Sequence, residues 1–353
     1  MMSKFFSEKF KDLAPYTPGE QPKEREYIKL NTNESPFPPS KKAIEMANSV
    51  ASKLNLYPDP DCKELTKVVA ENLGVKAENV LLTNGSDEIL NFAFMAYCDK
   101  KTKAIFPDIT YGFYKVFAQI NGVDYEEIPL REDFTISVDD YIEKEGTVFI
   151  ANPNAPTGIN LPLSEIERLV SKNQNRIVII DEAYVDFGGQ SAVCLVDKYP
   201  NLIVTQTFSK SRSMAGARLG YGVASKEIIA DLTAIKYSTN PYNINSMTAL
   251  AGIGSILDKD YFINNCKAVC ENREWTKNQL IELGFTVLDS KANFLFAKHP
   301  KISGKDLYLS LKDKGILVRH FDKDRIKEYN RISIGSFEQM QTLVSTIKDI
   351  LEK

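Results

Sequence analysis

The stretch LIVTQTFSKSRSMAGARLG, Leu202 to Gly220, decides how the chain is read. It opens as an apolar, β-branched run, Leu202-Ile203-Val204, with the character of a buried strand, and breaks off in a polar turn of small residues that carries Lys210. Ser209 and Ser211 flank that lysine, Arg218 follows, and Gly216 and Gly220 allow close backbone approach. An amine held beside a phosphate at a strand end suits a lysine that condenses with an aldehyde cofactor. A surface lysine in a polar turn is the plain alternative, so partners elsewhere in the chain must decide between them.

Upstream, strand and helix patterns alternate. Val80-Leu81-Leu82 runs into Asn84-Gly85-Ser86-Asp87 and a helix from Ile89 to Tyr97; a strand from Lys103 to Phe106 precedes a helix from Tyr111 to Ile120, and another strand covers Val123 to Ile128. Thr147 to Ala151, the loop Asn152 to Leu161, a helix from Ser164 to Val170 and an apolar strand from Arg176 to Ile180, ending in Asp181, complete the pattern. Strands apolar on both faces and separated by helices predict an α/β fold, a mostly parallel sheet with helices on both faces. Ligands in such sheets gather at the carboxyl ends of the strands.

Past Pro241 the character changes. Long helical stretches (Ile244 to Leu257, Tyr261 to Leu283) lead into short strands at Phe285 to Leu288, Asn293 to Ala297, Ile316 to Arg319 and Arg331 to Ile334. Helices are predicted at Gly304 to Lys314 and Phe337 to Leu351, which makes a smaller α+β unit. From Asp12 to Asn33, Pro15, Pro18 and Pro22 predict an extended arm. The predicted division is an arm (1–35), a small α+β domain (36–53 plus 242–353) and a large α/β domain (54–241).

With 353 residues the chain is long for one core, which fits more than one unit. Its 44 basic and 47 acidic residues nearly cancel, without long runs of one sign, so the electrostatic footprint of a nucleic-acid or anionic-membrane binder is missing. Five scattered cysteines, without histidines nearby, predict free buried thiols in a reducing compartment and no metal site. The opening MMSKFFSEKFKDL is charged throughout, and no apolar run approaches membrane-spanning length; the expectation is a cytoplasmic protein.

Several strand ends carry what a phosphorylated aromatic cofactor needs. Backbone N–H groups at Gly85, Ser86 and Asp87, where a strand hands over to a helix, can bind a phosphate, although Ser86 or Asp87 as an ordinary helix cap is the simpler role. Tyr111 can stack on a flat ring or serve as a core aromatic. Asp181 brings a carboxylate to the edge of an apolar strand, where a protonated pyridine nitrogen would be a suitable cation and helix capping is the alternative. Tyr184, three residues on, can reach a ring hydroxyl.

The ordered set of motifs resembles the fold-type I pyridoxal-phosphate aminotransferases, and within them the histidinol-phosphate aminotransferase family. The resemblance covers nearly the whole chain and rests on Leu13-Ala14-Pro15-Tyr16, Leu30-Asn31-Thr32-Asn33-Glu34-Ser35-Pro36, Tyr57-Pro58-Asp59, Asn84-Gly85-Ser86-Asp87-Glu88, Pro153-Asn154-Ala155-Pro156-Thr157-Gly158, Asp181-Glu182-Ala183-Tyr184, Ser209-Lys210, Arg218-Leu219-Gly220, Gly315-Ile316-Leu317-Val318-Arg319 and Arg331-Ile332-Ser333-Ile334-Gly335. It implies that Lys210 joins the cofactor as a Schiff base, Asp181 keeps the pyridine nitrogen protonated, and Tyr184 bonds the ring oxygen. It implies too that Tyr111 stacks on the ring and that Gly85, Ser86, Asp87, Ser209 and Arg218 cradle the phosphate. Tyr57 matches a tyrosine that reaches the cofactor of a partner subunit, which implies a homodimer with shared sites. Where the family has an asparagine in its Asn-Pro-Thr-Gly loop, this chain has Ala155; Asn154 is the expected substitute, and the alternative is that Tyr184 carries the ring oxygen alone.

The activity so implied is reversible, ping-pong amino transfer between histidinol phosphate and 2-oxoglutarate in histidine biosynthesis. Tyr16, Asn33, Arg319 and Arg331 are the expected substrate contacts: paired guanidinium donors suit a carboxylate, and two arginines suit a phosphate ester. A surface salt bridge to Asp322 or Asp324 is the alternative role for Arg319. An aromatic or broad-specificity aminotransferase and a threonine-phosphate decarboxylase-like enzyme share the same cofactor set. A non-catalytic cofactor-sensing module would need an added DNA-binding domain and a basic face, and a dinucleotide-binding oxidoreductase would need a Gly-x-Gly-x-x-Gly turn; neither pattern is found.

Overall fold

The computed structural model describes residues 3–11, 13–22 and 24–352; Asp12, where the predicted arm begins, and the first two residues of the charged opening lie outside them. The centre is a seven-stranded sheet of β2 (Val80–Thr83), β3 (Ala104–Pro107), β4 (Tyr125–Ile128), β5 (Thr147–Ala151), β6 (Val178–Asp181), β7 (Leu202–Thr207) and β8 (Gly220–Val223), in the order β2-β8-β7-β6-β5-β3-β4. β8 runs antiparallel to both neighbours; the other pairings are parallel.

The period-two alternation along the inner strands explains why they read as unbroken apolar runs. Val148, Ile150, Val178, Ile180, Leu202 and Val204 face one cluster; Phe149, Ile179 and Ile203 face another across the sheet. The first cluster is covered by α2 (Lys63–Leu73), α5 (Asp139–Ile142) and α6 (Leu163–Lys172), the second by α3 (Ser86–Tyr97), α4 (Phe113–Asn121) and α7 (Lys226–Thr239). α1 (Lys41–Asn48) lies against α8 (Ser246–Leu257), and both reach the first cluster through Ala43, Ile253 and Ile256.

The remaining elements are a four-stranded antiparallel sheet, β12 (Arg319–His320), β13 (Asn330–Ser333), β10 (Phe294–Lys298) and β9 (Thr286–Val287), with α9 (Lys259–Glu282), α10 (Gly304–Asp313) and α11 (Phe337–Leu351). Their own apolar cluster includes Leu280, Leu295, Leu311, Ile332 and Leu343. The end of the arm joins this unit: β1 (Ile28–Lys29) pairs in parallel with β11 (Ile316–Leu317). Asn31, Thr32 and Asn33 therefore leave a fixed strand and pass directly over the large sheet's carboxyl edge.

Several expectations need correction. β8 and α7 have no counterpart among the predicted elements. The single strand expected at Ile316 to Arg319 is two, β11 and β12, which pair with β1 and β13 respectively. Tyr111 precedes α4 rather than opening it, and of the five free cysteines Cys194 is exposed and Cys270 only half-buried. Among the described residues, no helix is long and apolar enough to cross a membrane.

Candidate active site

Strand register brings the polar strand ends together. Asp181 pairs with Ala151 on one side and Thr205 on the other, and Thr207 pairs with Gly220, which also faces Thr83. Above this edge lies a cavity of about 340 Å³ lined by Ser86, Asp87, Tyr111, Asp181, Lys210 and Arg218, among others. It adjoins a second of about 510 Å³, and Thr32, Tyr111, Ala155, Tyr184 and Lys210 line both. The first reaches the sheet edge; the second leads out beneath the arm.

The inner cavity is built for an anion. Helix α3 starts at Gly85 without a side-chain cap, so the N–H groups of its first turn face the cavity end unclaimed by a cap. Gly85 has φ +76°, and a Cβ there would stand 2.6 Å from Arg218 Nη2, so only glycine lets the guanidinium lie against the turn. A Cβ at Gly220 would meet the Ser86 nitrogen at 2.5 Å. Arg218 is fixed by Asp87 Oδ2 at 3.2 Å, and the other Asp87 oxygen accepts from the Tyr111 hydroxyl at 2.6 Å. The Asp87 carboxylate is thus a strut between the Tyr111 ring and the Arg218 guanidinium. Thr207 and Ser209 line the same end, with their hydroxyls 2.9 Å apart.

Toward the middle of the sheet the cavity meets Asp181, almost fully buried. Its Oδ1 accepts from the Ala183 N–H at 3.2 Å and its Oδ2 from the Tyr114 hydroxyl at 3.2 Å. Burial, and next the charge of Asp87, push its pKa up to about 7. Such a carboxylate lacks a full counter-charge and suits a cationic ring nitrogen. Lys210, one turn beyond β7, donates to the Thr32 carbonyl at 3.3 Å and lies 5.7 Å from the centre of the Tyr184 ring. The Tyr184 hydroxyl accepts from Asn33 Nδ2 at 3.0 Å.

Asn154 turns its side chain into its own loop. Its amide donates to the Ile109 carbonyl at 3.0 Å and to Thr157 Oγ1 at 3.1 Å, and its oxygen accepts from Thr110 Oγ1 at 2.9 Å. The side chain is spent on holding the loop together, and Ala155 is the residue that lines the cavity. Tyr184 lines the same cavity.

In the outer cavity, β12 and β13 set Arg319 and Arg331 opposite each other. Arg331 is held between the Phe294 and Phe321 rings at 5.3 and 5.7 Å, bonds the Asn31 carbonyl at 3.1 Å, and has a buried Nε without a partner. A half-buried arginine with a buried, unused Nε donor is a place prepared for an anion. Arg319 instead donates to the carbonyls of Thr17 and Pro18 at 3.0 and 3.1 Å, and pairs with neither Asp322 nor Asp324. It lines the outer cavity while pinning the arm, and so sets Tyr16, which stacks on Phe113 at 4.3 Å. The Asn33 backbone and side chain are locked to Ser333 and Asn293.

Tyr57 does not reach this cavity: it is 81% exposed and stacks on Tyr242 at 4.6 Å. Sequence reasoning passed over Thr32, Glu34 and Tyr114. Glu34 lines the inner cavity, paired with Lys29 at 2.8 Å, and Tyr114, in the first turn of α4, lies three residues after Tyr111 and donates its N–H to the Tyr111 carbonyl. The i,i+3 spacing of the two tyrosines was the available signal.

The chain matches the family "Aminotransferase class I and II" over residues 25–347. The chain belongs to the class I and II aminotransferases. Within that family it is 50% identical to the histidinol-phosphate aminotransferase of Brachyspira hyodysenteriae over 99% of this chain and 100% of that protein. The solved histidinol-phosphate aminotransferase of Clostridium acetobutylicum superposes with a TM-score of 0.85 at 26% identity, covering 92% of this chain and 98% of that one. The enzyme of the same name from Sinorhizobium meliloti, solved in complex with pyridoxal-5'-phosphate, matches at TM-score 0.85, 21% identity and 92% of both chains, a likeness of fold. Among the described residues, Lys210 is the one amine that lines both cavities.

Proposed function

We propose that this aminotransferase uses pyridoxal 5'-phosphate to move an amino group between histidinol phosphate and 2-oxoglutarate, the histidinol-phosphate transamination of histidine biosynthesis. The observation that carries the reading is the sharing of one cavity by Lys210, Asp181, the uncapped α3 N-terminus and Arg218, with the part-bonded Arg331 in the cavity adjoining it. The donor set fits the cofactor: Gly85, Ser86, Asp87, Ser209 and Arg218 for a phosphate, Tyr111 for a ring face, Asp181 for a ring nitrogen and Tyr184 for a ring oxygen.

Pyridoxal phosphate, when bound, supplies an exchangeable aldehyde and a protonated ring that withdraws electrons from the reacting carbon. The rest is the work of the chain. With the cofactor bound, Lys210 Nζ would be the group that holds its aldehyde end, and as a free amine it would be the base that accepts the proton leaving the substrate carbon. Asp181 keeps the ring-nitrogen proton in place. Arg331, with Arg319 opposite and Asn33 and Tyr16 at the rim, takes the anionic end of either substrate, the phosphate of one and the carboxylate of the other. One site serving both in turn gives ping-pong kinetics. The arm, pinned by Arg319, excludes water from the outer cavity.

The division into a large domain (54–241) and a small one (36–53 plus 242–353) is part of the same proposal. So is a homodimer: Leu54, Leu56, Tyr57 and Tyr242 form an exposed apolar face, and a second copy there would bring Tyr57 to the neighbouring site. A biosynthetic enzyme of this kind is placed in the cytoplasm. Borohydride reduction followed by peptide mass analysis should find the cofactor on Lys210, and glutamate should form from 2-oxoglutarate when histidinol phosphate is supplied. Label on another residue, or carbon dioxide release without glutamate, would overturn the reading.

A further inference from the structure

We propose that Tyr114 is a positioning residue whose hydroxyl holds Asp181 as an ionised carboxylate directed at the cofactor's ring nitrogen. The inference rests on the cofactor reading above. Tyr114 is fully buried on α4, and its hydroxyl reaches Asp181 Oδ2 at 3.2 Å across the sheet edge. Phe106 and Phe149 pack on its ring at 5.7 and 5.8 Å, and Tyr111 meets it edge-on at 5.7 Å. The aromatic packing leaves the hydroxyl little freedom to turn elsewhere. The two tyrosines divide the work: Tyr111 faces the cavity and bonds Asp87, while Tyr114 lies behind the carboxylate.

The groups acting on Asp181 are few. Asp87 from α3 opposes its charge, Lys210 beyond β7 supports it weakly, Tyr111 and Tyr184 line the same cavity, and the Ala183 N–H and the Tyr114 hydroxyl bond its two oxygens. Burial raises the carboxyl into the neutral range, and both hydrogen bonds pull it back toward the ionised form. Burial also raises the Tyr114 hydroxyl well above the usual tyrosine range, so it remains protonated and can only donate to the carboxylate. With one proton shared between Asp181 and a ring nitrogen, a fixed donor on the carboxylate places that proton on the ring. Without the donor the proton returns toward Asp181, and the ring loses its charge.

The test uses holoenzyme reconstituted with pyridoxal phosphate carrying 15N in the ring. The wild-type nitrogen should resonate as a protonated pyridinium. In Tyr114→Phe the signal should move toward the unprotonated position and the cofactor Kd should rise roughly tenfold, the usual worth of a hydrogen bond to a charged group. Phe149→Leu, which loosens the same packing without touching the hydrogen bond, should leave the nitrogen signal in place. Should Tyr114→Phe fail to fold, 4-fluorophenylalanine at position 114 fills the hydroxyl's volume without donating and should give the same shift. An unmoved signal in a non-donating variant overturns the role of Tyr114, as does an equal shift in Phe149→Leu. A wild-type protein that binds no cofactor, or holds it with an unprotonated ring, overturns the cofactor reading instead.

Discussion

Replacing Asp181 by asparagine should stabilise the cofactor-free protein at alkaline pH while crippling it as an enzyme. Asp181 is buried, and its pKa rises from 3.8 to about 7 on folding, so the fold favours the protonated form. Its contribution is fully present below about pH 4 and is lost as pH rises through about 7. At about 1.4 kcal/mol per pH unit, the cost of keeping the carboxylate ionised amounts to roughly 4 kcal/mol at pH 8 and under about 2 kcal/mol at pH 5. Asparagine has the shape of the neutral acid and avoids this cost. Thermal melts of the apo-protein should therefore show Asp181→Asn several degrees above wild type at pH 8, with the gap shrinking as pH falls to 5. Saturating cofactor should reverse the order at pH 8, because only the wild type gains the ion pair. A gap that does not vary with pH, or a variant less stable than wild type at pH 8, would show that Asp181 is not held ionised at a cost.

Other residues give further outcomes. Asn154→Ala should lower the melting free energy by about 1–3 kcal/mol, since it strips hydrogen bonds from a buried loop, yet leave the pH titration of the bound-cofactor absorbance where it was. Gly85→Ala should displace Arg218 and weaken pyridoxal phosphate by at least tenfold in a fluorescence titration, at a position where φ is +76°. Arg331→Lys should raise the KM for histidinol phosphate by roughly tenfold or more and change the cofactor Kd little, because lysine lacks the planar fork. Glu20 accepts from Tyr308 and Lys312, and these bonds hold its carboxyl below the usual range. Glu20→Gln should free the arm and speed tryptic cleavage after Arg25.

Much of the large domain was legible because a buried parallel strand has no polar face. Val148 to Ile150, Val178 to Ile180 and Leu202 to Val204 announce themselves as apolar runs, and the polar residue that ends each run marks the carboxyl edge. That is why Asp181 and Lys210 could be picked from the sequence; Arg218 was found by its place shortly after Lys210 and by the family resemblance. β8 was hidden for the opposite reason: Gly220-Tyr221-Gly222-Val223 is short and glycine-bearing because α3 lies flush against it, so it lacks the composition of a strand. α7 buries Lys236 along with Ile228, Ile229 and Leu232, which blurs its apolar stripe.

Side-chain direction was harder still. Asn154 and Ala155 are neighbours, and only the path of the loop determines which of them faces the cavity. The partner of Tyr114 lies 67 residues away and that of Arg319 about 300, so a tyrosine among aromatics reads as core and an arginine in a small domain as a substrate contact or a surface ion pair. Tyr57 is exposed and lies apart from the cavity of its own chain, so nothing local to it marks a role.

The central claim is that two adjoining cavities, joined at Lys210 and with Arg331 in the outer one, transaminate a phosphorylated amino alcohol. The most direct measurement is kcat/KM for amino transfer to 2-oxoglutarate from histidinol phosphate, set beside histidinol, phenylalanine and tyrosine. The account predicts histidinol phosphate ahead of all three by at least tenfold, with the advantage over histidinol collapsing in Arg331→Ala. Equal use of histidinol and its phosphate, or an advantage that survives the loss of Arg331, would contradict it.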